Sequence, residues 1–343
     1  MAGTRERGRL IRRFIAKRID SDSQEVVRET AREFGISRQA VNKHLRRLVD
    51  DGHVAVQGTT RNRRYSLSTI DRRTIALKLG KQLDENQVWR QQIVPLLPDL
   101  AGNAMDIWAY SFQEMLNNAI DHSSGMTVAV DIERTTTSTE MTITDDGYGI
   151  FKKIEETLDL EDERHAVFEL TKGKLTTDPD NHTGEGIFFT SRMFDEFSID
   201  SGGVYLSYLS PTEEYWVFDN DEFVAGTRVR MKLSSGAGRT PKEVFDAFTG
   251  DDDYAFTKTV VPVDLARYGN DALISRSQAR RVLARLDRFN TVVLNFKNVD
   301  QVGQGFADQV FRVFARAHPD IALIPINADP QVMSMIKRAN PRI

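Results

Sequence analysis

Two stretches in the middle of the chain carry residues spaced for chemistry on a phosphorylated ligand. In SFQEMLNNAIDHSS (111–124), Glu114, Asn118 and Asp121 stand at i, i+4 and i+7, on one face of a helix. An Asn carbonyl is a hard, neutral oxygen, suited to a Mg2+ ion that also bridges phosphate oxygens. In HTGEGIFFTSRMFD (182–195), Thr183, Gly184, Glu185, Gly186 and Ile187 make a glycine-rich turn that opens a helix. Backbone amides in that setting bind phosphate. A third motif, DDGYGI (145–150), reads on its own as a turn. A different chemistry is spaced out near the N-terminus. With Val41, Leu45 and Leu48 on the core face of a helix, Arg38, Gln39, Asn42, Lys43 and Arg46 point outward. Arg, Gln and Asn can each make paired hydrogen bonds to base edges in a major groove.

The elements that would present this outward face occupy residues 1–68. A helix over 6–19 has Leu10, Phe14 and Ile15 on one side. A second over 24–34 has Val27, Ala31 and Phe34, and Gly35 stops it. Ser37 caps the third, which ends before Gly52. HVAVQ (53–57), GTTRN (58–62) and RRYSL (63–67) then read as a hairpin. This order resembles the winged helix-turn-helix family, with ISRQAVNKHLRRLVDDGHVAV as recognition helix and wing. The resemblance implies double-stranded DNA as a partner. Ser37, Arg47, Arg61, Arg63 and Arg64 then suit phosphate contacts from the helix start, its flank and the wing.

Residues 69–90 are polar and are expected to form a linker helix, either a connector or a dimerisation element. From 91 an apolar helical stretch leads into 111–124. The strands TVAVDIE (127–133) and MTIT (141–144) follow, and further strands end in GTRVRMKL (226–233). These blocks, in this order, resemble the GHKL ATP-binding fold of DNA gyrase, MutL-type repair proteins, cytosolic chaperones and histidine kinases. The likeness covers roughly 91–235, within a domain set at 91–250. It implies an α+β sandwich with ATP and Mg2+ as cofactors. By the family's pattern Asn118 is the metal ligand, and Glu114 is the catalytic carboxylate that orients or deprotonates the attacking water. Asn117 and Asp121 stand on the same nucleotide helix. Asp145 matches the acceptor for the adenine amine, and Gly147 and Gly149 let the backbone pass close to the base. Asp146 is expected to be structural. Thr227 matches an adenine-side threonine that works through water. Phe188 stands where the family often has a further glycine. Residues 151–181 correspond to a mobile ATP lid, in which 155–163 reads as a surface helix and VFEL (167–170) resembles a phenylalanine box. Lys172 and Lys174 are expected within reach of phosphates.

Residues 236–255 read as a boundary around one short helix, PKEVFDAF. The segment 256–343 alternates strands (TVVPVDL, TVVLNF, IALIPINA) with helices at 275–286, after Gly305 and over QVMSMIKRA, which implies a small α/β sheet. It resembles a STAS-like domain of unknown function, with GQGFAD as the most recognisable block. Antisigma antagonists carry a phosphorylatable serine near this strand–helix junction. Here Val302, Gly303, Gln304, Gly305 and Phe306 hold no hydroxyl. The resemblance therefore implies a docking or oligomerisation module with a protein partner.

Composition bounds the rest. The chain has 343 residues, 40 % of them hydrophobic and 28 % charged, which excludes a disordered class and suggests two or three domains. Without cysteine it has no disulfide, thiolate metal site or thiol nucleophile. No apolar stretch is long enough to span a bilayer, and the first 20 residues hold seven Lys and Arg, so a cytoplasmic protein with no membrane contact is expected. The net charge of −4 averages unlike parts. Residues 1–80 carry 19 basic against 9 acidic side chains, 81–259 carry 15 against 34, and 260–343 carry 12 against 7. Between His53 and His122 there is no histidine, so the phosphoacceptor helix of a histidine kinase is missing. The expectation is a homodimeric, ATP-responsive DNA-binding transcriptional regulator with slow hydrolysis. Its alternatives are an anti-sigma-type serine kinase acting on a STAS partner and an ATP-gated DNA-remodelling factor.

Overall fold

The computed structural model describes residues 2–21, 25–58, 63–80, 82–98, 100–177, 182–250, 255–267 and 272–343. The N-terminal part comprises α1 (Ala2–Ser21), α2 (Val26–Phe34), α3 (Arg38–Asp50), β1 (Val54–Gln57) and β2 (Arg64–Leu67). Local chemistry sets its joints. Gly35 takes the left-handed conformation (φ 60°) that closes α2, and the Ser37 hydroxyl accepts the Ala40 amide at 3.2 Å to open α3. β1 and β2 pair antiparallel, Val54 opposite Leu67. Ile11, Ile15, Ile19, Val26, Val41, Leu45, Leu48 and Val54 form a core belonging to this part alone.

The middle holds β3 (Asp71–Lys78), α4 (Glu85–Val88) running into a π-helical turn over Trp89–Ile93, and α5 (Gly102–His122). It continues with β4 (Thr127–Arg134), β5 (Ser138–Asp145), α6 (Ile150–Thr157), α7 (Glu163–Lys172) and α8 (Gly186–Met193). β6 (Glu196–Leu209), β7 (Glu214–Ser234) and α9 (Pro241–Asp246) complete it. The five strands form one antiparallel sheet in the order β3-β4-β5-β7-β6. Period-two alternation turns Val128, Val130 and Ile132 of β4, and Met141 and Ile143 of β5, into the core. There they join Ile107, Trp108, Phe112, Met115 and Leu116 of α5. Asp145 continues the inward phase of β5, so a carboxylate ends a hydrophobic row.

Two expectations are corrected. Residues 69–90 contain no long linker helix: residues 71–78 are an edge strand pairing antiparallel with β4. DRRTIALK turns only Ile75 and Leu77 against the core, and an edge strand with a wet face hides its alternation behind polar residues. Residues 151–177 are also not a loose lid. Ala166 to Lys172 of α7 are buried throughout. The surface helix expected at 155–163 ends at Thr157, and Asp162 instead caps α7 by accepting the His165 amide at 2.7 Å.

The C-terminal part runs β8 (Lys258–Pro262), α10 (Arg276–Leu283), β9 (Thr291–Asn295), α11 (Gln304–Asp308), a π-helical turn over Gln309–Phe314, α12 (Ala315–Ala317), β10 (Ala322–Ile326) and α13 (Pro330–Ala339). Its sheet is parallel, in the order β10-β9-β8. Its core is continuous with that of the middle: Phe256 packs on Phe188, Phe189 and Phe289. Among the described residues no helix is long and apolar enough to cross a membrane.

Candidate functional site

Where β5 ends, α5, α6, the second half of β7, the start of α8 and residues 175–177 and 182–184 enclose a cavity of about 300 Å³. Met115, Ile143, Ile150, Ile154, Leu170 and Val229 give it an apolar wall, while Glu114, Asn117, Asn118, Asp145, Thr183 and Thr227 supply polar atoms. An apolar wall with a few convergent polar groups is the make-up of a small-molecule pocket.

At the deep end, Asp145 is 7 % exposed and accepts the amides of Gly147 (2.9 Å) and Thr227 (3.3 Å). Both bonds fall on Oδ1; among the described residues Oδ2 takes none. Burial pushes the Asp145 carboxyl up, and the two amides oppose that shift. The Thr227 hydroxyl accepts the Ile150 amide at 3.0 Å, joining β7 to α6 across the floor. Gly149 (φ 95°) lines the same floor, whereas Gly147 lies just behind it, against the Ser123 backbone, with no room for a β-carbon. Asp146 is structural: it holds the start of β4 by accepting the amides of Met126 and Thr127 at 2.7 and 2.9 Å.

At the opposite end the glycine turn folds back on residues 174–177. The Leu175 amide donates to the Gly184 carbonyl at 3.1 Å, and Gly184 (φ 71°) lies against the Leu175 backbone, so a side chain there is excluded. A β-carbon at Gly186 would collide with the Glu114 carboxylate. The turn and the carboxylate of α5 therefore meet directly. Burial pushes the Glu114 carboxyl up; nearby His182 opposes the shift and Glu185 adds to it. Asp121 stands at the rim, its Oδ2 3.5 Å from His182 Nε2. Glu185 and Ile187 begin α8, and Ile187 reaches the cavity.

Lys172 and Lys174 are brought elsewhere, which corrects the expectation that they reach phosphates. The Lys172 side chain is buried: its Nζ donates to Glu169 Oε1 (2.6 Å) and to the carbonyls of Arg281 (2.9 Å) and Ala284 (3.1 Å). Lys174 Nζ donates to the Arg288 carbonyl at 2.9 Å. In return Arg285 and Arg288 donate to the Lys174 carbonyl at 2.6 and 3.0 Å, and the Thr259 hydroxyl donates to that of Lys172 at 2.6 Å. The segment lining the cavity is thus held from behind by the C-terminal part. The cavity lysine is Lys153, missed by sequence reasoning, whose Nζ donates to the His122 carbonyl at 2.7 Å. Its place one turn into α6, directly after the Gly149 floor, was a usable signal. His122, Ser123, Thr176, Thr177 and His182 also line the cavity without having been singled out for it.

No group of three or more acidic or histidine side chains able to hold a metal occurs among the described residues. Asn117 and Asn118 bring neutral amide oxygens to the lining, a donor type that a hard cation accepts beside water.

On α3 the outward face forms as expected. Arg38, Gln39, Lys43, Arg46 and Arg47 are exposed, Asn42 is half-buried, and Arg63 and Arg64 are exposed at the wing. Arg47 also approaches Asp51 at 3.7 Å. The Ser37 hydroxyl accepts the Ala40 amide as the helix cap, which leaves its own O–H as a donor at the exposed start of α3. Arg61 lies outside the described residues.

Comparison with known proteins fits both ends of the chain. Residues 19–54 match the family of winged helix-turn-helix DNA-binding domains, and residues 278–333 match the STAS-like domain of unknown function (DUF4325). Neither match reaches the cavity. No curated protein matches the chain. The chain thus joins an N-terminal winged helix-turn-helix, which supports DNA binding, to a C-terminal STAS-like domain.

Proposed function

We propose that this is a DNA-binding transcriptional regulator whose middle domain binds ATP with Mg2+. The observation that carries the reading is the convergence of Glu114, Asn118, Asp145, Gly184, Gly186 and Thr227, far apart in sequence, on one cavity with an apolar wall. In this reading Asp145 Oδ2 accepts the exocyclic amine of adenine, and Ile143, Ile150 and Val229 pack the ring. The glycine turn at 183–187 offers backbone amides to the phosphates. Asn118 holds Mg2+, which supplies charge neutralisation to a triphosphate inside an acidic domain. Glu114, beside Gly186, is placed to orient water on the terminal phosphate, and its raised carboxyl makes it a better proton acceptor than an ordinary glutamate.

The route to DNA is short. Only residues 68–70 separate the wing strand β2 from β3, which shares a sheet with β5 and so with Asp145. The Arg13 guanidinium of α1 sits directly over Gly236, just past the end of β7. A nucleotide that tightens the cavity therefore has two mechanical paths to the winged helix. Fluorescence anisotropy on selected operator DNA, with and without ATP and Mg2+, tests the coupling. DNA affinity should change with nucleotide, and Glu114→Gln should bind nucleotide but lose turnover. Identical DNA curves, or full turnover in the variant, would refute the corresponding assignment.

A further inference from the structure

The glycine turn enters the cavity beside a histidine to which the ATP reading gives no role. Among the described lining residues, Lys153, His122 and His182 carry the side chains able to bear positive charge. Lys153 is committed to the His122 carbonyl at 2.7 Å, and Lys172 and Lys174 are turned to the C-terminal part. His182 directly precedes Thr183 and Gly184, so its backbone leads into the turn itself. Its ring stands edge-on to that of His122, with centroids 4.6 Å apart, and its Nε2 lies 3.5 Å from Asp121 Oδ2. That ion pair is longer than the roughly 3.2 Å of a well-made hydrogen bond, so a better acceptor can draw the imidazole away. Acidic side chains approach this end from two elements, Glu114 and Asp121 from α5 and Glu185 from the start of α8. His182 is close enough to Glu114 for its charge to act on that carboxyl.

We infer that His182 reads the terminal phosphate of the bound nucleotide: its imidazole leaves Asp121 to donate to that phosphate, and the site thereby prefers ATP to ADP. The inference rests on the ATP reading above and adds to it the side chain that tells a triphosphate from a diphosphate. The backbone amides of the turn and a Mg2+ ion serve both nucleotides, so neither separates them. Glu114, against Gly186, repels a further phosphate unless a donor stands next to it. An imidazole is that donor in either charge state: the neutral ring carries one N–H, and the cation carries two and binds an anion more strongly. The consequence is mechanical. His182 begins the turn whose Gly184 carbonyl accepts the Leu175 amide at 3.1 Å, and Arg285 holds the neighbouring Lys174 carbonyl at 2.6 Å. Arrival or loss of the terminal phosphate therefore bears on the segment that the C-terminal part holds from behind.

Isothermal titration calorimetry on the full chain compares ADP with the non-hydrolysable β,γ-imido analogue of ATP, each with Mg2+. The wild type should bind the triphosphate more tightly. His182→Ala should weaken the triphosphate by about tenfold or more and leave ADP within about twofold. His182→Arg, which restores a donor and a charge, should keep most of the preference. A residue that only shaped the turn would weaken both nucleotides together, so equal losses overturn the inference, as does an unchanged ratio in the alanine variant. Should His182→Ala fail to melt like the wild type, His182→Asn is read instead, because its amide lacks the reach of Nε2. If the wild type binds neither nucleotide, the ATP reading is refuted and the inference falls with it. If it binds both equally, the inference alone is refuted.

Discussion

The two ends of the chain are both small, both rich in basic residues, and joined to the middle in opposite ways. The winged helix keeps a core of its own and meets the rest through residues 68–70 and the seat of Arg13 on Gly236. The STAS-like domain shares one continuous core with the middle and adds a buried ionic knot, in which Glu169 of α7 is shared by Lys172 at 2.6 Å and Arg285 at 3.2 Å. The difference shows that sequence domains and physical bodies need not coincide. By sequence there are three units; by packing there are two, a DNA-facing head and a fused body that holds the cavity. A loosely attached head can change its disposition at small energetic cost, while a fused tail can act only by changing how firmly it holds residues 172–177.

The largest effect should come from breaking the knot. Glu169→Leu leaves Lys172 and Arg285 buried together without their shared anion. Removing one partner of such a group costs on the order of 3–5 kcal/mol. Urea unfolding should show that loss in the body, and nucleotide titration should show weaker binding, because the segment lining the cavity loses its anchor. DNA binding without nucleotide should persist. An unchanged unfolding midpoint would mean that the tail is merely apposed to the middle.

A comparable cut in the head should stay in the head. Leu45 is almost fully buried among Ile15, Val41 and Leu48, and Leu45→Ala should cost about 2–5 kcal/mol there. DNA binding should be lost while nucleotide titration stays as in the wild type. A single unfolding transition that shifts as a whole would show that head and body melt together and would erase the contrast.

Much of this arrangement was readable in advance, for identifiable reasons. The face of α5 follows from helical spacing, and the glycine turn must be glycine because Gly184 lies on the Leu175 backbone and Gly186 on the Glu114 carboxylate. Asp145 was singled out by the resemblance of DDGYGI to a family motif, and the structure then ends the apolar, period-two row of β5 on it. The edge strand β3 was not, because two inward residues in eight leave too little pattern to distinguish strand from polar helix. Lys172 and Lys174 were misread because a lysine near a glycine turn suggests phosphate. What decides their direction is the carbonyls of Arg281, Ala284 and Arg288, more than a hundred residues away. His122 and Ser123 reach the cavity through tertiary packing, whereas Lys153, one turn past Gly149, and His182, next to the glycine turn, had local signals that were passed over.

The smallest effect, and the finest test of the fused interface, is a pH dependence. Burial pulls the Lys172 ammonium down from 10.5 to about 8, outweighing the carboxylate of Glu169 beside it. Between these values the unfolded chain holds more protons than the folded one, so this lysine makes stability rise as pH increases across that window. Below pH 8 both states keep the proton and the burial cost is fully present. One proton limits the gain over the first unit above pH 8 to less than about 1.4 kcal/mol. Tyr208, pushed up to about 12 by burial, acts in the opposite sense from pH 10 upward, so the measurement belongs at pH 8 and 9. There the wild type should gain stability relative to Lys172→Met. A constant difference would mean that the ammonium stays charged inside the interface, and that the tail holds residues 172–177 more strongly than its burial alone implies.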